Sequence, residues 1–194
     1  MSLREHVYSV LLVSNSEKFN RSLLTALPER FCYPIRVVMG VGAARQELLE
    51  RSYDVVMINT PLPDDYGTRL AIDLSCDLGI GVMIFAKSEN FSDVYEQVSE
   101  YGVLTMQKPT SGQMVSQSMF LLFATIEKLK RMEKKAASLE EKMQEIRLVN
   151  RAKWILIDKE GYSEQDAHRY IEKTAMDNCL TRASVARGII ERYE

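Results

Sequence analysis

The run YSVLLV, from Tyr8 to Val13, is apolar and rich in valine, and it gives way to polar Ser14, Asn15 and Ser16. That change reads as a buried strand followed by a helix N-cap. Similar apolar runs recur at Ile35 to Met39, Val55 to Ile58, Val82 to Phe85 and Val103 to Met106, alternating with helix-patterned stretches around Arg21, Gln46, Leu70 and Val94. Strands that are apolar on both faces and separated by helices predict an α/β domain. We expect a doubly wound parallel sheet of five strands with five helices, ending near Met119.

Beyond Pro109 the pattern changes. Apolar positions step by alternating fours and threes through Val115, Met119, Leu122, Ile126 and Leu129, and after one phase slip through Met132, Ala136, Leu139, Met143 and Ile146. This spacing predicts one long helix, continuous with the last helix of the α/β domain, with a coiled-coil seam over residues 112–146. Charged residues of both signs fill the remaining positions. The seam could be a face of an intramolecular helix, but no further domain offers to cover it, so a homodimer is expected. Gly161 ends the helix, Ser163 with Asp166 starts a second, and Thr181 caps a third. In the second helix Ala167, Ile171, Thr174 and Asn178 form the expected inward side, and Trp154 is expected to pack against the last two helices.

Composition narrows the class. Hydrophobic residues make up 46% of the 194 positions, enough for ordinary globular cores, and the formal charge of −2 argues against coating by nucleic acid. Acids outnumber bases before Ile126, whereas bases slightly outnumber acids after it, so any nucleic-acid contact is expected in the tail. Cys32, Cys76 and Cys179 are widely spaced, which suggests buried thiols rather than a disulfide framework or a zinc site. The opening residues lack a signal-peptide apolar run, and no later stretch is apolar enough to span a membrane; a cytoplasmic location is expected. His6 and His168 have no nucleophile or acid pattern around them, so an enzyme is not expected and no cofactor or metal is implied.

The segments LLVSNS, YDVVMINTPLPDDYG and QKP, set in that fold pattern, resemble the receiver domain of response regulators, which implies a flavodoxin-like sheet of order 2-1-3-4-5 over residues 1–119. Receivers use an acidic pair after the first strand, a phosphoryl-accepting Asp after the third, a hydroxyl after the fourth and Lys-Pro after the fifth. Magnesium needs hard carboxylate oxygens, the Asp is the nucleophile, and Lys and hydroxyl groups hold the new phosphate. Aligning on Pro63 and Gly67 places Asn59 at the acceptor, Ser14 and Asn15 at the acidic pair, and Ala86 at the hydroxyl; Thr105 replaces the usual switch aromatic. Of the pocket only Lys108, with Pro109, remains. The resemblance therefore implies a degenerate pocket of Ser14, Asn15, Asn59, Ala86 and Lys108. In such a pseudo-receiver Lys108 bonds Asn59 or a backbone carbonyl, ordinary aspartyl phosphorylation plays no part, and a regulatory protein is the expected ligand. Asp64 and Asp65 lie in a loop, away from the strand end where a replacement acceptor would be needed.

In the tail, Ala152, Leu156, Gly161, Ser163, Glu164, Ala167, Ala175, Met176, Ala186, Ile189 and Ile190 match the spacing of the ANTAR family of RNA-binding antiterminators over residues 146–194. His168 departs from the pattern, standing where an aromatic is usual. The resemblance implies a three-helix module that binds paired hairpins in leader RNA, so that a terminator hairpin does not form. Arg151, Lys153, His168, Arg169, Lys173, Met176, Arg182 and Arg187 are the candidate RNA contacts, offering cations to phosphates and an imidazole and a thioether to bases. Two other readings remain open. One is a helix-turn-helix DNA-binding regulator, to which DNC in place of a tight glycine turn is ill suited; the other is a protein-interaction adaptor without RNA affinity.

Overall fold

The computed structural model describes residues 6–77 and 80–193. Five strands, β1 (Tyr8–Val13), β2 (Cys32–Val38), β3 (Val55–Asn59), β4 (Gly81–Lys87) and β5 (Leu104–Lys108), form one parallel sheet in the order β2-β1-β3-β4-β5. The helices are α1 (Glu17–Ala26), α2 (Val41–Glu50), α3 (Thr68–Asp77), α4 (Phe91–Val98), α5 (Gly112–Glu160), α6 (Glu164–Asp177) and α7 (Arg182–Tyr193). Every expected strand is present. The second begins earlier than its apolar run suggested, because Cys32 pairs with Tyr8 ahead of a register shift that puts Ile35 opposite Val10.

Alternation along each strand feeds two cores. Tyr8, Val10, Leu12, Val55, Met57, Met83 and Phe85 face Leu23 of α1 and Val115, Met119, Leu122, Phe123 and Ile126 of α5. Their neighbours Leu11, Val13, Val56, Ile58, Val82 and Ile84 face Ala44 of α2, Leu70, Ala71 and Leu74 of α3, and Val94 and Val98 of α4. The rings of Tyr8 and Phe123 stack at 4.0 Å, and a Cβ on Gly81 would come within 2.6 Å of Ile126, so α5 sits close over the sheet there. This corrects the expected seam. Its first half, Val115 to Ile126, is spent on the core of the α/β domain, which therefore reaches past Met119.

Compactness divides the chain into two units, residues 1–129 and 130–194. In the second unit Ala152 and Leu156 of α5, Ala167, Ile171 and Ala175 of α6, and Val185, Ala186 and Ile189 of α7 form a separate small core. Gly161 ends α5 at φ 73°, a left-handed conformation that glycine adopts without strain. The Ser163 hydroxyl accepts from the Asp166 amide at 3.1 Å, and Thr181 Oγ1 accepts from the Ser184 amide at 3.1 Å, so both expected caps form. Three expectations fail here. Cys179, expected to be a buried thiol, is exposed, as is Cys76 in the first unit. Asn178 is exposed rather than inward, and Trp154 is 70% exposed, because Ala152 and Leu156 take the inward face of α5 and residue 154 lies between them on the opposite side. Among the described residues, no helix is long and apolar enough to cross a membrane.

Candidate functional site

Parallel strands bring their C-terminal ends to one edge of the sheet, where α/β proteins place their ligands. At this edge Ser14 follows β1, Asn59 closes β3, Ala86 lies in β4 and Lys108 closes β5. Asn59 Nδ2 donates to Ser14 Oγ at 2.9 Å, and Lys108 Nζ donates to Asn59 Oδ1 at 2.5 Å and to the Thr60 carbonyl at 2.6 Å. The Nζ also lies 5.6 Å from the centre of the Phe19 ring. Burial, and then the charge of Lys87, hold Lys108 below the ordinary lysine range. Ser14, Asn59 and Lys108 thus form one connected network. Asn15 points to solvent and Ala86 is buried.

The receiver fold implies a magnesium ion, and the residues present do not suit one. A hydroxyl and two amides replace the carboxylates, and the ammonium of Lys108 already occupies Asn59 Oδ1. Among the described residues no group of three or more His, Cys, Asp or Glu side chains is placed to hold a metal. Asp64 serves a different end. Its carboxylate accepts from the amides of Gly42 at 2.9 Å and Val41 at 3.0 Å, capping α2 from a distant loop, and those bonds hold it below its usual pKa. A Cβ at Gly40 would meet this carboxylate at 2.6 Å. Asp65 accepts from the Gly67 amide at 2.7 Å within its own turn.

The eight candidate RNA contacts of the tail do not form one patch. Lys153 is largely buried and pairs with Glu164 at 3.2 Å, His168 pairs with Glu172 at 3.3 Å, and Arg182 pairs with Glu145 at 3.1 Å. These three line a cleft of about 380 Å³ together with Lys142, Glu145 and Asn150, a group in which glutamates answer much of the positive charge. Arg151 and Arg187 are exposed elsewhere. Arg169, Lys173 and Met176 share one exposed face of α6, at the i, i+4, i+7 spacing, and Met176 is 80% exposed.

Arg169 and Lys173 border a second cleft, of about 490 Å³, with Tyr162, Tyr170, Ser163 and Asp166. The two tyrosine rings meet edge to face at 5.7 Å. The nearby acids are engaged: Asp166 accepts from Ser163 Oγ at 2.6 Å, and Glu160 accepts from the Tyr193 hydroxyl. Neither Arg169 nor Lys173 is in an ion pair among the described residues. Neither Tyr162, in the turn after Gly161, nor the half-buried Tyr170 of α6 was among the expected contacts. The signal for both was an aromatic within a turn or two of a basic pair.

Comparison with known proteins accounts for both units. Residues 137–190 match the ANTAR domain family. The transcriptional regulatory protein PdtaR of Mycobacterium tuberculosis is 26% identical over 183 residues, which cover 93% of this chain and 89% of that protein. Among solved structures, a putative response regulator from Chloroflexus aurantiacus aligns with TM-score 0.55 and 16% identity, over 61% of this chain and 98% of that one. A CheY-like receiver domain protein from Methanospirillum hungatei aligns with TM-score 0.54 and 16% identity, over 63% and 98%. These two likenesses concern the fold.

Proposed function

From the premise that this chain joins a receiver fold to an ANTAR domain, we propose that it regulates transcription by binding paired leader-RNA hairpins in place of a terminator hairpin. The observation that carries this reading is the face of Arg169, Lys173 and Met176 beside Tyr162 and Tyr170, where two cations in no ion pair among the described residues adjoin aromatic rings. Single-stranded RNA loops are read by that combination, phosphates by cations and splayed bases by planar groups. Lys153 and Arg182 tie the helices of the module together through Glu164 and Glu145, and His168 pairs with Glu172 along α6, so these three contact RNA less. Two copies of the chain present two such faces, one for each hairpin of a pair.

The receiver pocket takes no phosphoryl group. Asn59 is a poor nucleophile, its carbonyl oxygen is bound to Lys108, and the positions that would hold magnesium are neutral. Control then passes to a protein partner or to the RNA. Incubation with acetyl phosphate and magnesium is expected to leave the intact mass unchanged; a gain of one phosphoryl group that disappears in Asn59→Ala overturns this part. For RNA, competition of hairpin against duplex DNA at several salt concentrations separates this reading from a DNA-binding one. Arg169→Ala with Lys173→Ala is expected to weaken hairpin binding at least tenfold and to flatten the salt slope by roughly 1.5 to 2. Unchanged affinity and slope rule out this face.

A further inference from the structure

A cavity of about 300 Å³ opens in the α/β unit between α1 and the start of α5. Phe19, Leu23 and Ala26 fall on one side of α1 at the i, i+4, i+7 spacing and form one wall, while Pro109 and Val115 form another. These walls are anchored. The Phe19 ring meets Phe85 edge to face at 5.1 Å, and Leu23 and Val115 belong to the core beneath. At Gly112 the two helices come close, since a Cβ there would stand 3.2 Å from Ala26. Two cations line the cavity, the exposed Lys18 and the half-buried Lys108, and among the described residues no carboxylate lines it. Of the degenerate receiver pocket only Lys108 is shared; Ser14, Asn15 and Asn59 do not reach this side.

We propose that this cavity binds a small monocarboxylate with an apolar body, its carboxylate on Lys108 and its body between Phe19, Leu23 and Val115. The α/β unit would then take a chemical input that needs no phosphoryl transfer. Two of the three Nζ protons of Lys108 go to Asn59 and to the Thr60 carbonyl, and the third has no partner among the described residues. One donor on one cation matches a single charge. Burial holds the Lys108 pKa down, and an anion beside it offsets that desolvation. The N-terminal ends of α1 and α5 both reach the cavity, through Ser16 and Gly112, and add positive potential. Glu17, in the first turn of α1, lines a neighbouring exposed groove with Arg21 instead. The apolar walls disfavour a bare inorganic anion, and a phosphate monoester brings a second charge that the half-buried donor does not answer. A volume at the lower end of ligand pockets limits the body to one ring or a short chain. RNA binding by the tail is not needed for any of this.

Benzoate, hexanoate, benzamide and inorganic phosphate are each titrated into the full chain, labelled at its leucine and valine methyls and followed by NMR. The two carboxylates should shift the Leu23 and Val115 methyls with Kd on the order of 1 mM. Benzamide and phosphate should bind at least roughly tenfold more weakly. Lys108→Met should weaken benzoate by roughly tenfold and leave benzamide unchanged. Two variants at exposed positions of α1 keep the test open where Lys108→Met does not fold. Ser22→Trp, at the edge of the cavity, should abolish the shifts, and Lys18→Glu should weaken benzoate about threefold. No methyl shift with either carboxylate up to tens of millimolar overturns the site, and so do shifts that persist in Ser22→Trp. Benzamide binding as tightly as benzoate overturns the anionic class of ligand. Phosphate binding as tightly as benzoate overturns the apolar body. Hairpin affinity, tested through Arg169 and Lys173, stands or falls apart from these results.

Discussion

Two stretches of α5 carry the same apolar stepping and meet opposite fates. Val115, Met119, Leu122, Phe123 and Ile126 are buried against the sheet, whereas Met132, Leu139, Met143 and Ile146 stand more than half exposed. Periodicity says that a helix has an apolar face, and it does not say what covers that face. The first stretch is covered because the sheet offers it Tyr8, Val55, Met83 and a bare Gly81. The second stands largely exposed among the described residues of its own unit.

The largest expected effect separates these stretches. Phe123→Ala removes a ring stacked on Tyr8 and should cost the α/β unit about 3–5 kcal/mol in denaturant unfolding. At a dilution where sedimentation gives the mass of a single chain, Leu139→Ala should change unfolding by less than about 0.5 kcal/mol; a cost comparable to that of Phe123→Ala would mean that the second stretch is also covered within the chain. A smaller effect sharpens the contrast between units. At the end of α6, Cys179 holds φ 52° while Leu180 N donates to the Ala175 carbonyl at 2.9 Å and Cys179 N to that of Met176 at 3.2 Å. This is a helix C-cap usually given to glycine, so Cys179→Gly should stabilise the tail by roughly 0.5–1 kcal/mol and leave the α/β unit unchanged. Differential scanning calorimetry resolves the two.

The smallest effect probes the receiver pocket. Because burial lowers the Lys108 pKa, the folded state binds that proton less tightly than the unfolded chain does. Stability gains a contribution as pH rises from the depressed value towards 10.5, the ordinary value. Lys108→Met should lack that rise in the difference curve against the parent. An identical pH dependence in the two proteins would show Lys108 to be as solvated as a surface lysine.

Much of the fold was legible because its signals are local. Apolar runs of strand length between helix-patterned stretches, the cap residues Ser163 and Thr181 and the stop at Gly161 each carry their own physics, and each recurs in the structure. The departures have a common cause in tertiary choice. Trp154 is large and apolar and was expected inside, but the small Ala152 and the branched Leu156 set which side of α5 faces α6 and α7. The site was less legible than the fold. Most positions that carry the ANTAR resemblance, namely Ala152, Leu156, Ala167, Ala175, Ala186 and Ile189, are buried, Gly161 and Ser163 are caps, and Met176 stands out as strongly exposed. The pattern that identifies the module is thus largely its scaffold. Which cations are paired depends on where glutamates fall in space, and among the described residues that separates Arg169 and Lys173 from Lys153, His168 and Arg182.

Ultraviolet crosslinking of the protein in cells, followed by sequencing of the bound nucleic acid, shows whether this tail reads RNA while the receiver pocket stays unmodified. Paired hairpins just upstream of terminators should be enriched, with the signal lost in Arg169→Ala/Lys173→Ala and kept in Asn59→Ala. Recovery of duplex DNA, of no RNA above background, or of RNA whose capture depends on Asn59 would contradict this reading.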